Sequence, residues 1–128
     1  MKFITEGDTL TIKLEGFETV ASLRRKIIIP RQRITNLTWQ PVFTTSQREI
    51  RMGGTGLPGL LYAGNWWGKG GWYFLYLHKP QGHPLAGGLS AQNVLSIELA
   101  DYAYKAIWLT CQPDIGASLL NWWETRHG

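Results

Sequence analysis

The sequence predicts a mainly β fold that ends in an α-helix. Short segments in which polar and apolar residues alternate recur along the chain, as expected of half-buried strands. The last segment instead repeats its apolar residues at helical spacing. Strands followed by one final helix favour two packed antiparallel sheets, in a sandwich or open barrel whose one end the helix closes.

The composition predicts one globular domain, residues 1–128, with a core of its own. Hydrophobic residues make up 44% of the chain and charged residues only 17%, which excludes a disordered tail. The net charge of +4 favours anionic partners. Because the basic residues are scattered, with no run of five or more, we expect no nucleic-acid partner.

Cysteine content and hydropathy predict the compartment. The single cysteine, Cys111, excludes an internal disulfide and suits a reducing environment. The first residues, MKFITEGDTL, lack the apolar core of a signal peptide, and no stretch approaches the ~18 apolar residues that span a bilayer. We therefore expect a cytoplasmic protein without a transmembrane segment.

The first part of the chain is predicted to contain four strands and a short helix. Residues 9–14 alternate without error, and residues 3–6 precede them across the turn residues Gly7 and Asp8, which predicts a hairpin. Residues 17–25 change to helical spacing. Residues 26–30 are β-branched and end at a proline, and residues 37–42 predict a further strand.

Glycine, proline and paired tryptophans are concentrated between Gly53 and Gly71, and predict one backbone bend between two strands. Gly54, Gly56 and Gly59 have the spacing of a dinucleotide-binding turn. That turn needs a buried strand before it, a helix after it and an acid about 20 residues further on. The sequence predicts none of these, so we favour glycines that permit positive φ at a bend.

A phosphate loop at residues 64–69 also lacks support. Ala63 stands where the first glycine of that motif belongs, and Gly70 replaces the hydroxyl residue that would bind magnesium. We therefore expect no nucleotide and, more generally, no cofactor.

The second part of the chain predicts three strands and the final helix. Residues 72–77 are apolar on both faces, which indicates a strand inside the fold or under a partner. Residues 94–99 and 106–110 alternate on either side of a turn and predict a hairpin. Pro113 suits the first helical position, and four apolar residues follow at helical spacing: Ile115, Leu119, Trp122 and Trp123.

The run RMGGTGLPGLLYAG resembles the Gly-Thr-x-Leu-Pro-Gly motif, followed by a further glycine, of a family of bacterial pleckstrin-homology (PH)-like domains. Five residues carry the match: Thr55, Leu57, Pro58, Gly59 and Gly64. The resemblance implies a split barrel or sandwich of about seven antiparallel strands capped by a helix, in a fold that hosts lipid, peptide and protein binders. The loop from Lys79 to Asn93 is longer than this family would have there.

Catalytic and metal sites find little support in the sequence. His78, His83 and His127 are the only imidazoles, and none lies in a catalytic motif. His78 and His83 could share a metal with Asp101, but their spacing fits neither alternate strand positions nor one helical face. Cys111 is in phase with the apolar residues of strand 106–110, which predicts a buried, inert thiol. We expect a protein without enzymatic activity. A small hydrolase or nucleotide-binding protein is our third hypothesis, after the two binding functions described below.

The candidate binding residues are Trp66, Trp67, Lys69 and Trp72. Exposed tryptophans could stack on sugars or single-stranded nucleic acid, or form an apolar interface rimmed by lysines. Trp66 and Trp67 are adjacent, so on a strand only one of them can be exposed. Strand 72–77 lacks the residues that guard an edge, which makes its edge a second candidate for self-association. Alternatively, the tryptophans are core residues beside a glycine-rich hairpin turn.

We expect a non-enzymatic interaction module that binds a protein partner or copies of itself. The alternative is a peripheral binder of anionic lipid. In the fold that the chain resembles, phosphoinositides bind around the loop between the first two strands, which here is Glu6, Gly7 and Asp8. Its two acids argue against a headgroup site in that loop, although Lys2 and Lys13 flank it.

Overall fold

A small antiparallel sheet opens the fold. The computed structural model describes residues 1–22, 24–45, 50–52, 55–57, 59–83 and 88–125. The small sheet contains β1 (Lys2–Glu6), β2 (Thr9–Lys13) and β3 (Lys26–Pro30) in that order, with the helix α1 (Phe17–Ser22) between the last two. The predicted hairpin, short helix and third strand are confirmed, although α1 ends at Ser22 and does not extend to Arg25.

A larger sheet and a C-terminal helix complete the fold. The eight strands of the larger sheet are β4 (Ile34–Thr44), β5 (Ile50–Met52), β6 (Thr55–Leu57), β7 (Leu61–Gly68), β8 (Gly71–His78), β9 (Gln81–His83), β10 (Gly88–Leu99) and β11 (Ala106–Thr110). Their spatial order is β4-β10-β11-β8-β7-β5, with β6 also on β7 and β9 also on β10. The helix α2 (Pro113–Thr125) follows.

The prediction of a mainly β fold with two sheets and a final helix is confirmed, but two of its details are wrong. The described residues form eleven strands, where about seven were expected, and one strand pair is parallel, where all pairs were expected to be antiparallel. The parallel pair is β8 and β11, with Ala106 opposite Tyr73. The reason is that the β10–β11 hairpin returns β11 to a place between β10 and β8.

Two predicted loops contain strands. The region around residues 53–71 is not one bend, because β6 pairs with the start of β7, and β7 and β8 form a hairpin closed by Lys69 and Gly70. Gly70 has a φ of +90°, a conformation that favours glycine. The long loop expected between Lys79 and Asn93 contains β9, which pairs with the start of β10. Residues 53, 54, 58 and 84–87 lie outside the described part of the chain.

The main core lies between the two sheets and α2. Leu10 and Ile12 of β2 and Ile27 and Ile29 of β3 point into it, each 0% exposed. Leu119 of α2 closes it, whereas Ile115 is 36% exposed and does not face inward as predicted. A second apolar cluster lies on the opposite face of the large sheet; its largest members are Phe43, Tyr62, Trp66, Tyr73 and Trp108.

The strand β8 has the central position expected of residues 72–77. Tyr73 to Leu77 are all buried, because alternate side chains enter the two apolar clusters. Both edges of β8 are paired, one with β7 and the other with β11. The prediction that this strand offers an open edge for self-association is therefore wrong.

The helix α2 is seated against β4 through a glycine. A Cβ on Gly116 would lie 2.6 Å from Cδ1 of Trp39, so only a glycine leaves room for the indole. Nε1 of Trp39 donates a hydrogen bond of 2.8 Å to the carbonyl oxygen of Cys111, and Nε1 of Trp122 donates one of 3.0 Å to that of Gly7. In the described part of the chain, no helix has the length and apolar character needed to cross a membrane.

Candidate functional site

The tip of the β7–β8 hairpin carries an exposed pair of tryptophans. Trp67 and Trp72 are register partners, and they are 40% and 47% exposed. Their ring centroids lie 5.1 Å apart with an interplanar angle of 71°, an edge-to-face contact. Such contacts stabilise aromatic pairs by about 0.5–1.5 kcal/mol, so the two rings form one preformed apolar surface. We call it the Trp67–Trp72 patch.

Trp66 is a core residue and does not belong to this patch. It is 2% exposed, its Nε1 donates to the carbonyl oxygen of Ala63 at 3.0 Å, and its ring contacts Tyr62 edge to face. Its place among the candidate binding residues is thus corrected. The expectation that only one of the two adjacent tryptophans is exposed is confirmed, because alternate residues of β7 point to opposite faces.

Two lysines border the Trp67–Trp72 patch. Lys69 is exposed in the hairpin turn, and its carbonyl oxygen accepts a hydrogen bond of 2.7 Å from the Tyr73 hydroxyl. The backbone N–H of Lys105 donates to the carbonyl oxygen of Trp72 at 2.7 Å. The aliphatic part of Lys105 covers Gly70, since a Cβ there would meet its Cδ at 2.6 Å. An aromatic centre with a polar rim is typical of a protein interface.

A polar network supports the strands that carry the patch. The Tyr104 hydroxyl donates to Oδ1 of Asn65 at 2.6 Å and accepts from Nη1 of Arg24 at 3.1 Å. The Tyr104 ring packs edge to face on Phe74, with centroids 5.7 Å apart. Burial raises the pKa of Tyr104, although Arg24 and the hydrogen bonds oppose the shift, so the hydroxyl stays neutral. These contacts hold β7 and β8 in place next to Trp67 and Trp72.

The motif residues have structural positions where they are described. Thr55 and Leu57 are in β6, paired with Ala63 and Leu61 of β7. Gly59 has a φ of +78° in the turn that follows, and Gly64 has a φ of +89° within β7. A Cβ on Gly64 would lie 3.6 Å from the carbonyl oxygen of Ser22, which brings β7 against the end of α1. Pro58 lies outside the described residues.

The prediction that Cys111 is buried is confirmed. Its side chain is 3% exposed, and burial, followed by the charge of Asp114, raises the thiol pKa to about 11. A thiol that ionises so weakly is a poor nucleophile at neutral pH. His78 is exposed at the end of β8, and the described residues contain no group of three potential metal ligands. His127 lies outside the described residues.

Three lysines form a row across the outer face of the small sheet. Lys2 is opposite Lys13, and Lys13 is opposite Lys26, so all three point to the same side. The next row is Ile4, Thr11 and Ile28, in which the isoleucines are 36% and 48% exposed. We call these six residues the lysine face. Like charges directly opposite one another destabilise a sheet, so the row has a cost in folding free energy.

The loop between β1 and β2 is well separated from these lysines. Lys2 and Lys13 pair at the open end of the hairpin, four residues away from the turn, and they do not flank the loop as expected. At roughly 3.4 Å per residue the separation is about 14 Å. Within the loop, a carboxylate oxygen of Asp8 lies 3.6 Å from Nε of Arg31. The Asp8 carboxylate is thus paired with Arg31, and Lys2 and Lys13 do not converge on the loop.

A cleft on the second face of the large sheet was not predicted from the sequence. Asn36, Thr38 and Gln40 of β4 and Ser96 and Glu98 of β10 line part of it. The available signal was the polar spacing of two at 36, 38 and 40, and at 96 and 98. The same spacing is equally typical of a strand face that is exposed to solvent. The sequence alone does not show that the two strands are neighbours.

Comparison with known proteins gives no further guidance: no family model, no curated protein and no solved structure matches this chain.

Proposed function

We propose that this protein is a non-enzymatic interaction module that binds a second copy of itself through the Trp67–Trp72 patch. One observation carries the proposal. Two large aromatic residues, 40% and 47% exposed, are held against each other at a hairpin tip whose position two other strands fix. Tryptophan is enriched among the interface residues that dominate binding energy, and the two lysines give the pair polar surroundings, as an interface rim has.

The exposed area of the patch indicates a weak, reversible interface. A tryptophan buries at most about 250 Å², so the exposed fractions of 40% and 47% correspond to roughly 200 Å² for the pair. A stable interface of standard size needs about 800 Å² from each partner. The two indoles therefore supply its centre, and Lys69, Lys105 and their neighbours must supply the rest.

The PH-like classification is part of the same proposal. Support comes from the motif residues around Gly59 and Gly64 and from the order of elements, with strands followed by a final helix packed on the core. The parallel pairing of β8 with β11 and the additional short strands are features of this chain that the resemblance did not imply.

Sedimentation velocity across a concentration series tests self-association. We expect the parent to shift from monomer towards dimer, and Trp67→Lys to remain monomeric while folded. Loss of a central interface tryptophan costs at least about 2 kcal/mol, or roughly 30-fold in the dimer dissociation constant. Leu60→Lys is the matched control, since Leu60 is 64% exposed at the opposite end of β7. A parent that stays monomeric throughout, or equal dimerisation of all three proteins, contradicts the proposal.

The lysine face favours a second candidate function, peripheral binding to an anionic membrane. Three lysines in one row beside exposed Ile4 and Ile28 combine a cationic and an apolar surface on one face of the small sheet. Lys2 is partly neutralised, since its Nζ lies 3.8 Å from a carboxylate oxygen of Glu15. Each lysine near an anionic surface contributes about 1 kcal/mol, so the row corresponds to at most about 3 kcal/mol, or roughly 100-fold in partitioning.

The six lysines of the chain provide a balanced test of this candidate. Three form the lysine face, and three lie elsewhere: Lys69, Lys79 and Lys105. Replacing either set by glutamine changes the net charge equally. With vesicles of phosphatidylcholine and phosphatidylserine at low salt, we expect co-sedimentation of the parent and of the second variant, and its loss in the lysine-face variant. Equal loss in both variants indicates nonspecific attraction, and no sedimentation of the parent rules out this function.

A further inference from the structure

The cleft on the large sheet is a concave site whose lining residues all lie on strands except Lys105, which directly precedes β11. Its volume is about 510 Å³, within the range of about 300–1,000 Å³ found for small-molecule sites. The register places side chains from four neighbouring strands in two rows across it: Thr38, Ser96 and Trp108, and Asn36, Glu98, Ala106 and Tyr73. The cleft faces away from both the small sheet and the Trp67–Trp72 patch, because alternate residues of β8 point to opposite faces.

The polar side of the cleft is not used for folding. Asn36 and Gln40 are exposed on β4, and Glu98 is exposed on β10. Within the described part of the chain, the side chains of these three residues, and those of Ser96 and Lys105, make no hydrogen bond or ion pair. Their donors and acceptors are therefore available to a ligand, at positions that paired strands fix.

The opposite side of the cleft is aromatic. The ring of Trp108 lies 5.1 Å from that of Phe43 and 5.2 Å from that of Tyr73, between centroids. Trp108 is only 4% exposed, so the aromatic group offers an edge to the cleft and not a full stacking platform. Hydrogen bonds from the polar side must then provide most of the affinity and the specificity.

We propose that this cleft binds an uncharged sugar ring. One carboxylate, Glu98, and one ammonium group, Lys105, give the lining a net charge of zero, which favours neither anions nor cations. Amides and hydroxyls both donate and accept hydrogen bonds, as sugar hydroxyls do, and Asn36 and Gln40 can each contact two neighbouring hydroxyls. The apolar C–H face of the sugar ring can pack against the aromatic edge of the cleft. The zero net charge of the lining also argues against a nucleotide, because a nucleotide carries anionic phosphate.

Protein-observed NMR of the full chain tests this site. The probes are a panel of neutral saccharides, namely glucose, galactose, mannose, N-acetylglucosamine, maltose, cellobiose and lactose, together with adenosine and glycine as probes that are not sugars. We expect at least one saccharide, at millimolar concentration, to shift backbone amides of residues 36–40 and 96–98. Asn36→Ala and Gln40→Ala should each weaken that binding about 5-fold, as expected for one lost hydrogen bond.

The matched controls are Asn121→Ala and Gln92→Ala, which remove the same groups at exposed positions outside the cleft and should leave binding unchanged. All four variants should fold, because these side chains are exposed. Shifts at Trp67 and Trp72 alone would place sugar binding on the patch and overturn the proposal for the cleft. Cleft shifts from adenosine or glycine alone overturn the ligand class, and the absence of a cleft shift with every probe overturns the site.

Discussion

Burial determines the chemistry of Cys111, the single cysteine. In the folded chain its thiol pKa is raised from 9.0 to about 11, first by burial and then by Asp114. Between these pH values the unfolded chain has released the proton and the folded chain still holds it. The free energy of unfolding therefore falls as pH rises through this window, while the full stability is present below pH 9.

Cys111→Ser should remove this dependence. Thermal melts at intervals between pH 8 and pH 11 should show a steeper fall in melting temperature for the parent than for the variant, while the contributions of the tyrosines cancel. At neutral pH the variant should be modestly less stable and should dimerise like the parent. Parallel curves for the two proteins would show that the thiol is not buried as described.

Single residues also show what sequence patterns can predict and what they cannot. Alternation predicted that one of Trp66 and Trp67 is exposed, but only the pairing of Trp67 with Trp72 identifies which one. Lys26 was not linked with Lys2 and Lys13, since the row depends on the pairing of β2 with β3. Clusters of side chains from several strands depend on the register in which those strands pair. The periodicity within one segment does not show with which residues of another segment it pairs.

At the scale of elements, the packing of α2 on β4 depends on Gly116. Alanine in a helix interior is favoured over glycine by about 1 kcal/mol. Here the added Cβ would lie 2.6 Å from the Trp39 ring, which is fixed by its hydrogen bond to Cys111. Moving the indole adds about 1–3 kcal/mol of strain and breaks a bond of about 1 kcal/mol, so the steric effect outweighs the helix propensity.

Gly116→Ala should therefore lower the free energy of unfolding by about 1–3 kcal/mol in urea denaturation. Ser118→Ala, at an exposed position in the same helix, should change it by less than about 0.5 kcal/mol. An increase in stability for Gly116→Ala would mean that propensity dominates and that Trp39 does not pack against the helix.

The elements themselves were predicted better than their arrangement. The β1–β2 hairpin, β3, β11 and α2 were recognised because each carries its own periodicity, turn residues or cap. The parallel contact between β8 and β11 was missed, since it joins segments that are separated by a complete hairpin. Short strands such as β6 and β9 were taken as loops because glycine and proline surround them.

At the scale of the whole molecule, three surfaces with different chemistry lie on different faces. The Trp67–Trp72 patch is apolar, the lysine face is cationic, and the cleft is polar with no net charge. A dimer formed through the patch leaves the lysine face and the polar residues on β4 and β10 accessible, whereas it buries part of Lys105, which also lines the cleft. Mutations on one face should accordingly leave the other two activities unchanged. Lys105 is the exception, because it borders both the patch and the cleft.

Fluorine NMR of protein labelled with 5-fluorotryptophan tests the central proposal, self-association through the patch, most directly. The chain has seven tryptophans, and Trp67→Phe and Trp72→Phe assign the two signals of interest. We predict that these two signals shift with rising protein concentration, while those of the buried Trp66 and Trp108 stay fixed. Seven signals that are independent of concentration, or shifts only at other tryptophans, would contradict an interface centred on the Trp67–Trp72 patch.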